Sequence, residues 1–106
     1  MDLHGRQNPR KSFMRCFHAN SRAFLMEGRL YTCTVAPNAR HFNKKFGTHI
    51  QLEDADFLNI YYVTNASEIL KFLSTPKPVC RYCDVGNRSF GHKWERSKKV
   101  KEEWIA

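Results

Sequence analysis

Short apolar runs separated by polar turns make up most of the chain, and no long periodic stretch stands out. Phe13, Met14 and Phe17 place apolar bulk around Cys16, and Asn20-Ser21 is polar and turn-like. Ala23 to Met26 is a brief apolar run. Glu27-Gly28 follows, and glycine supplies the positive φ that a tight hairpin turn requires. Arg29-Leu30-Tyr31-Thr32-Cys33 then predicts the second strand of a compact hairpin. Strand alternation puts Arg29, Tyr31 and Cys33 on one face and Leu30 and Thr32 on the other.

Beyond the hairpin the period changes. Ala39, Phe42 and Phe46 fall at i, i+3 and i+7, Pro37 suits a first helical turn, and Gly47 suits a helix stop. These positions predict a helix over 37–46, starting just after Cys33. Its free N–H groups and partial positive charge suit a nearby anionic centre, although an ordinary hairpin–helix corner has the same pattern. Thr48 to Asp56 reads as a polar loop, acidic at its end. Phe57 to Val63 is aromatic and β-branched, a candidate strand or buried extended segment. Asn65-Ala66-Ser67-Glu68 resembles a capping box. Ile69, Leu70, Phe72 and Leu73 give the helix that follows an apolar face, and it ends before Pro76. Pro76 and Pro78 stiffen the approach to Cys80.

The ends differ from this centre. Residues 1–12 are polar and basic, with Gly5 and Pro9 as breakers, and are expected to be extended and poorly ordered. Trp94 to Trp104 is expected to form a final helix. The resulting division is an N-terminal segment 1–12, a domain 13–90 carrying the cysteines, and a C-terminal helical segment 91–106. The fold class is small α+β: a β-hairpin followed by helices around one four-cysteine metal site.

Composition narrows the chemistry. A domain of 106 residues buries only about two-thirds of its unfolded surface, so a metal crosslink would add materially to its stability. No apolar h-region follows Met1, and no stretch approaches the roughly 20 apolar residues of a membrane span. A cytoplasmic location is expected, where thiols stay reduced and metal binding is favoured over disulfides. The formal charge of +8 raises nucleic acid as a partner. The basic residues are scattered, however, with only a modest concentration from Lys93 to Lys101, so binding is expected to be weak and non-specific.

The chain has four cysteines. Cys80-Arg81-Tyr82-Cys83 is a Cys-x-x-Cys turn, a spacing that brings two thiolates within reach of one metal centre. Cys16 and Cys33 complete a tetrathiolate set with none left over. A zinc site and an iron–sulfur cluster both accept four thiolates, and either lowers the net charge from +8 to about +6. Zinc ribbons favour two short Cys-x-x-Cys elements. Here one pair is split across the hairpin, which suits a larger centre. His4, His18, His41, His49 and His92 show no ligand spacing among themselves; His18, near Cys16, is an alternative ligand or a polar surface residue.

Cys16, eleven residues, Gly28, four residues and Cys33, then Cys80-x-x-Cys83, resembles the signature of the SPASM and twitch domains. These are the C-terminal auxiliary-cluster domains of radical S-adenosylmethionine (radical SAM) enzymes. Glu27-Gly28-Arg29-Leu30-Tyr31-Thr32-Cys33, Phe42-Asn43-Lys44-Lys45-Phe46 and Ser67-Glu68-Ile69-Leu70-Lys71-Phe72 are also similar to the family's segments. The likeness runs from Cys16 onward. No further cysteines follow Cys83, so it is the one-cluster twitch arrangement that is matched. The resemblance implies a [4Fe-4S] cluster held by Cys16, Cys33, Cys80 and Cys83, acting as an electron relay or a structural staple. Tyr31 and Tyr82 are candidates to shape the sulfur environment, or else ordinary half-buried aromatics. The implied partners are a radical SAM barrel, supplied upstream or in trans, and a reductant such as flavodoxin or ferredoxin. The Cys-x-x-x-Cys-x-x-Cys loop that binds S-adenosylmethionine does not occur, so the isolated chain is expected not to catalyse. The alternative is a zinc-stabilised (Zn²⁺) four-cysteine binding module with a basic nucleic-acid-binding surface.

Overall fold

The hairpin forms around Glu27 and Gly28, whose φ values of +52° and +75° are the two left-handed positions of a two-residue turn. Strands β1 (Phe24–Met26) and β2 (Arg29–Tyr31) pair antiparallel, with Phe24 opposite Tyr31 and Met26 opposite Arg29. A computed structural model describes residues 1–87 and 93–104. A third strand, β3 (Leu58–Asn59), pairs antiparallel with β2 and gives the order β1-β2-β3. It is the front of the expected 57–63 segment. The chain then tightens into a 3₁₀ turn, Ile60–Tyr62, because the Asn59 side chain accepts the Tyr61 N–H at 3.0 Å.

Two helices precede the sheet, α1 (Pro9–Met14) and α2 (Phe17–Ser21), and the longer α3 (Val35–Phe46) follows β2. Helix α3 starts two residues earlier than Pro37. It ends at Gly47, φ +66°, whose N–H donates to the Asn43 carbonyl at 2.8 Å. Asn43 also pins the loop beyond: its Oδ1 accepts the Ile50 N–H at 2.9 Å, and its Nδ2 donates to the Ile50 carbonyl at 2.8 Å. Helix α4 (Ala66–Leu73) is capped by Asn65, whose side chain accepts the Glu68 N–H at 3.2 Å. Tyr31, Cys33, Ala36, Ala39, Ile50, Val79 and Tyr82 form the buried core. The expected strand over 29–33 stops at Tyr31; Tyr31 is buried as expected, but Thr32, assigned to the opposite face, is buried too, and Cys33 lies beyond the strand. Arg29 is exposed and lays its guanidinium 4.3 Å from the centre of the Phe57 ring.

Both ends depart from expectation. The first twelve residues are tied down rather than loose. Asp2 N–H donates to the Tyr82 carbonyl at 2.7 Å, Gln7 N–H donates to the Arg81 carbonyl at 3.1 Å, and Met1 and Leu3 pack on the core. Asn8-Pro9 is a helix start, not a break: Asn8 accepts the Lys11 N–H at 3.1 Å and Pro9 fills the first turn. The expected helix over 94–104 is not formed. Residues 93–100 have no regular structure, and only Lys101–Glu103 makes a 3₁₀ turn. The Glu103 carboxylate accepts from the Ser97 hydroxyl and the Lys98 N–H, both at 2.6 Å, a local competitor to helical bonding. Trp94 and Val100 are exposed, and only Trp104 docks, its ring edge-on 5.9 Å from the centre of the Phe42 ring. The boundary set at 90–91 lies outside the described residues. Among the described residues, no helix is long and apolar enough to cross a membrane.

Candidate metal centre

Three separate pieces of chain deliver the four cysteines. Cys16 sits at the junction of α1 and α2, its N–H donating to the Phe13 carbonyl at 3.1 Å and its Sγ accepting the Ala19 N–H at 3.5 Å. Cys33 lies between β2 and α3 and is buried. Cys80 is inside the 3₁₀ turn Pro78–Tyr82, and Cys83 caps that turn by donating its N–H to the Cys80 carbonyl at 3.1 Å. Helix α1 packs against this turn. The buried Ser12 hydroxyl joins them by donating to the Cys83 carbonyl at 2.7 Å. None of the four is joined in a disulfide.

Burial is the first influence on three of these thiols. It pushes Cys83 up to about 12 and Cys80 up to about 11, and raises Cys33 from the ordinary thiol range. The backbone N–H groups of Val35 and Ala36, at the start of α3, work in the opposite direction on Cys33. This is the helix-terminus effect that the position of Cys33 suggested. The remaining influences are mutual. Cys16 acts on the other three, Cys33 acts on Cys80 and Cys83, and Cys80 acts on Cys83, so every pair within the set feels its partner's charge. Four thiols so placed resist ionising together unless a positive centre compensates them. By residue type alone, four cysteines are the donors of a thiolate-bound metal or cluster. As the side chains stand, no group of three or more His, Cys, Asp or Glu among the described residues converges on a single metal-ion position.

The other candidates have ordinary surroundings. Tyr82 is buried, and its hydroxyl accepts the Gln51 N–H at 3.2 Å and an Arg81 guanidinium N–H at 3.0 Å. Tyr31 is buried with its ring centre 6.1 Å from that of Phe57. His4, His41 and His49 are exposed, while the His18 side chain and all of His92 lie outside the described residues. The Lys93–Val100 stretch is exposed throughout.

Three polar residues at the centre escaped the sequence reading. Ser12 lies in the segment expected to be loose. Asp56 is buried, its two carboxylate oxygens accepting the Val79 N–H at 2.7 Å and the Glu53 N–H at 2.8 Å. It thereby ties the 53–56 turn to the approach to Cys80. Lys77 is buried between two prolines. No local pattern distinguishes these residues from surface polar groups; only packing buries them. Comparison with protein-family models, with curated proteins and with solved structures finds no match.

Proposed function

We propose that this chain is an auxiliary [4Fe-4S] cluster-binding domain of a radical SAM enzyme, with Cys16, Cys33, Cys80 and Cys83 as ligands. The observation that supports the reading is the spacing Cys16, Gly28, Cys33 and Cys80-x-x-Cys83, with the helix before Cys16 tied to the Cys80 turn by the Ser12–Cys83 hydrogen bond. The split spacing around Gly28 and its likeness to the twitch signature favour a cluster over a single zinc. When bound, such a cluster supplies one-electron transfer and a covalent crosslink between the hairpin and the Cys80 turn. Four cysteines fill every outer iron position, so the domain relays or staples and leaves substrate to the rest of the enzyme.

The chain's own residues hold the ligand-bearing pieces in register. Ser12 links α1 to the Cys83 carbonyl, Asp56 fixes the entry to the Cys80 turn, and the first N–H groups of α3 offset negative charge at Cys33. The matching partners are a radical SAM barrel, joined upstream or in trans, and a flavodoxin- or ferredoxin-type reductant in a cytoplasmic setting. Anaerobic reconstitution with iron and sulfide tests the proposal. About four irons per chain, with broad absorption near roughly 400 nm lost in Cys16→Ala or Cys80→Ala, is expected for a thiolate-bound cluster. One tight zinc with refusal of iron overturns it in favour of the zinc-stabilised nucleic-acid module.

A further inference from the structure

Tyr61 and Tyr62 are 79% and 81% exposed, yet the turn that carries them is fastened at both ends. The Ile60 N–H donates to the Gly28 carbonyl at 3.0 Å, the Asn59 side chain accepts the Tyr61 N–H at 3.0 Å, and the Val63 N–H donates to the Ile60 carbonyl at 3.4 Å. The Tyr61 ring lies over Gly28, so close that a Cβ built there would stand 2.5 Å from it. Two aromatic rings are thus held out to solvent on a fixed backbone. Rings presented in this way meet a flat partner at a low cost in conformational entropy.

The same hairpin turn brings cations to these rings. Glu27, next to Gly28, lies 3.4 Å from Arg40 of α3. Arg40 and Lys44 are four residues apart and exposed, so they stack on one helix face about 6 Å apart, with the exposed Lys45 beside them. Helix α3 contains no acidic residue. The exposed Arg29 pairs across the sheet with Asn59, two residues before Tyr61. Two carboxylates border this surface. Glu68 accepts the Thr64 N–H at 3.1 Å and the Thr64 hydroxyl at 2.9 Å. Glu27 and Arg40 are both well exposed, so their pairing is weak. A phosphate accepts guanidinium N–H groups as a carboxylate does and can take the place of Glu27.

We infer that Tyr61 and Tyr62, with Arg29, Arg40, Lys44 and Lys45, form a binding surface for single-stranded nucleic acid. Cations track the phosphates while the rings stack on bases, a combination that tolerates any sequence. A duplex keeps its base faces stacked inside and offers the tyrosines only its ends. An anionic lipid surface fits less well. Arg40, His41, Lys44 and Lys45 make the exposed side of α3 polar, and Phe42 and Phe46 pack on each other with ring centres 4.8 Å apart rather than forming a face to insert. The formal charge of +8 draws any polyanion; the two tyrosines select an unpaired strand. The surface includes no candidate metal ligand, and the inference goes beyond the cluster reading without depending on it.

Fluorescence anisotropy tests it, using the full chain with labelled oligothymidine and oligouridine of about 15 nucleotides and a duplex of equal length. Both single strands should bind more tightly than the duplex, and the two arms distinguish DNA from RNA. Tyr62→Ala should weaken binding at least about fivefold, whereas Tyr62→Phe keeps the stacking ring and should bind as wild type does. Tyr61→Ala should act likewise; where it lowers the melting temperature, the Tyr62 pair decides. Arg40→Gln with Lys44→Gln should flatten the slope of log affinity against log salt by about 0.7 for each phosphate contact removed. Arg10→Gln with Lys11→Gln, an equal charge loss among exposed residues of α1, should flatten it less. Duplex binding as tight as single-strand binding, tyrosine-to-alanine variants that bind as wild type does, or equal effects of the two double variants would overturn the inference and leave only diffuse charge attraction. Capture by phosphatidylserine vesicles without oligonucleotide binding would overturn it in favour of a lipid surface.

Discussion

The Ser12 hydroxyl donates to the Cys83 carbonyl at 2.7 Å, joining two residues 71 positions apart in sequence. The bond fastens the first helix to the end of the Cys-x-x-Cys turn. Ser12 is 3% exposed, so the bond is shielded from water. Ser12→Ala leaves the Cys83 carbonyl without this donor, and the expected loss is about 1–3 kcal/mol. Denaturant unfolding of the metal-free chain measures it. A loss below about 0.5 kcal/mol would mean that water replaces the hydroxyl and that α1 does not clamp the turn.

Alkaline pH should unfold the metal-free protein. Burial raises Cys33, lifts Cys80 to about 11 and lifts Cys83 to about 12, against an ordinary thiol value of 9.0. Above pH 9 the unfolded chain loses thiol protons that the folded chain retains, so stability falls as pH rises from about 9 to about 12. Below pH 9 these thiols are neutral in both states and contribute no slope. Thermal unfolding at a series of pH values checks this. A melting temperature flat from pH 8 to 11 would show that the thiols are not buried as described.

Metal loading should release protons and add stability. Burial keeps Cys33, Cys80 and Cys83 protonated near neutral pH, and thiols that ligate a metal are deprotonated, so proton release on loading is expected. Protease resistance and helical circular dichroism should rise together with iron content. Equal resistance with and without metal would identify the cysteines as packing residues.

Gly28 and Gly47, two of the left-handed glycines, should differ in what they tolerate. A Cβ on Gly28 would lie 2.5 Å from the Tyr61 ring, whereas one on Gly47 would meet nothing within 4 Å. Gly47→Ala should cost about 1 kcal/mol from backbone strain alone. Gly28→Ala should cost more, because the Tyr61 ring must also move off the turn. Matched denaturation curves compare them, and equal losses would show that the Tyr61 contact carries no energy.

The isolated chain should not cleave S-adenosylmethionine, even loaded and strongly reduced. On the proposed cluster reading, four cysteines would close every outer iron position, and a barrel holding the cofactor in reactive geometry, a contribution worth up to about 7–11 kcal/mol, would have to come from elsewhere. Formation of 5′-deoxyadenosine over multiple turnovers, above a cluster-free control, would reveal a cofactor site that the four-cysteine reading does not contain.

Local chemistry settles the hairpin and the two longer helices. Glu27-Gly28 admits the two positive φ angles of its turn, Gly47 stops α3, and Asn65 caps α4, each acting within a few residues of itself. The four cysteines and their spacing are likewise visible in the chain alone. Packing decided the rest. Asn8-Pro9 holds a helix start that the polar composition of residues 1–12 obscured, and α1 persists there because Phe13 and Ser12 are buried against the Cys80 turn. At the other end, the 93–104 stretch has helix-forming residues but docks through Trp104 alone, and Glu103 binds Ser97 and Lys98 instead. Lys77 and Asp56 read as surface charges. They become interior groups because the Val79 N–H reaches Asp56 from 23 positions away, and because the distant Phe13 ring and the nearby Phe72 and Thr75 carbonyls close around Lys77. Sequence spacing specifies which side chains are available, whereas the dielectric and the neighbours that set their chemistry arise from contacts between segments that no local pattern encodes.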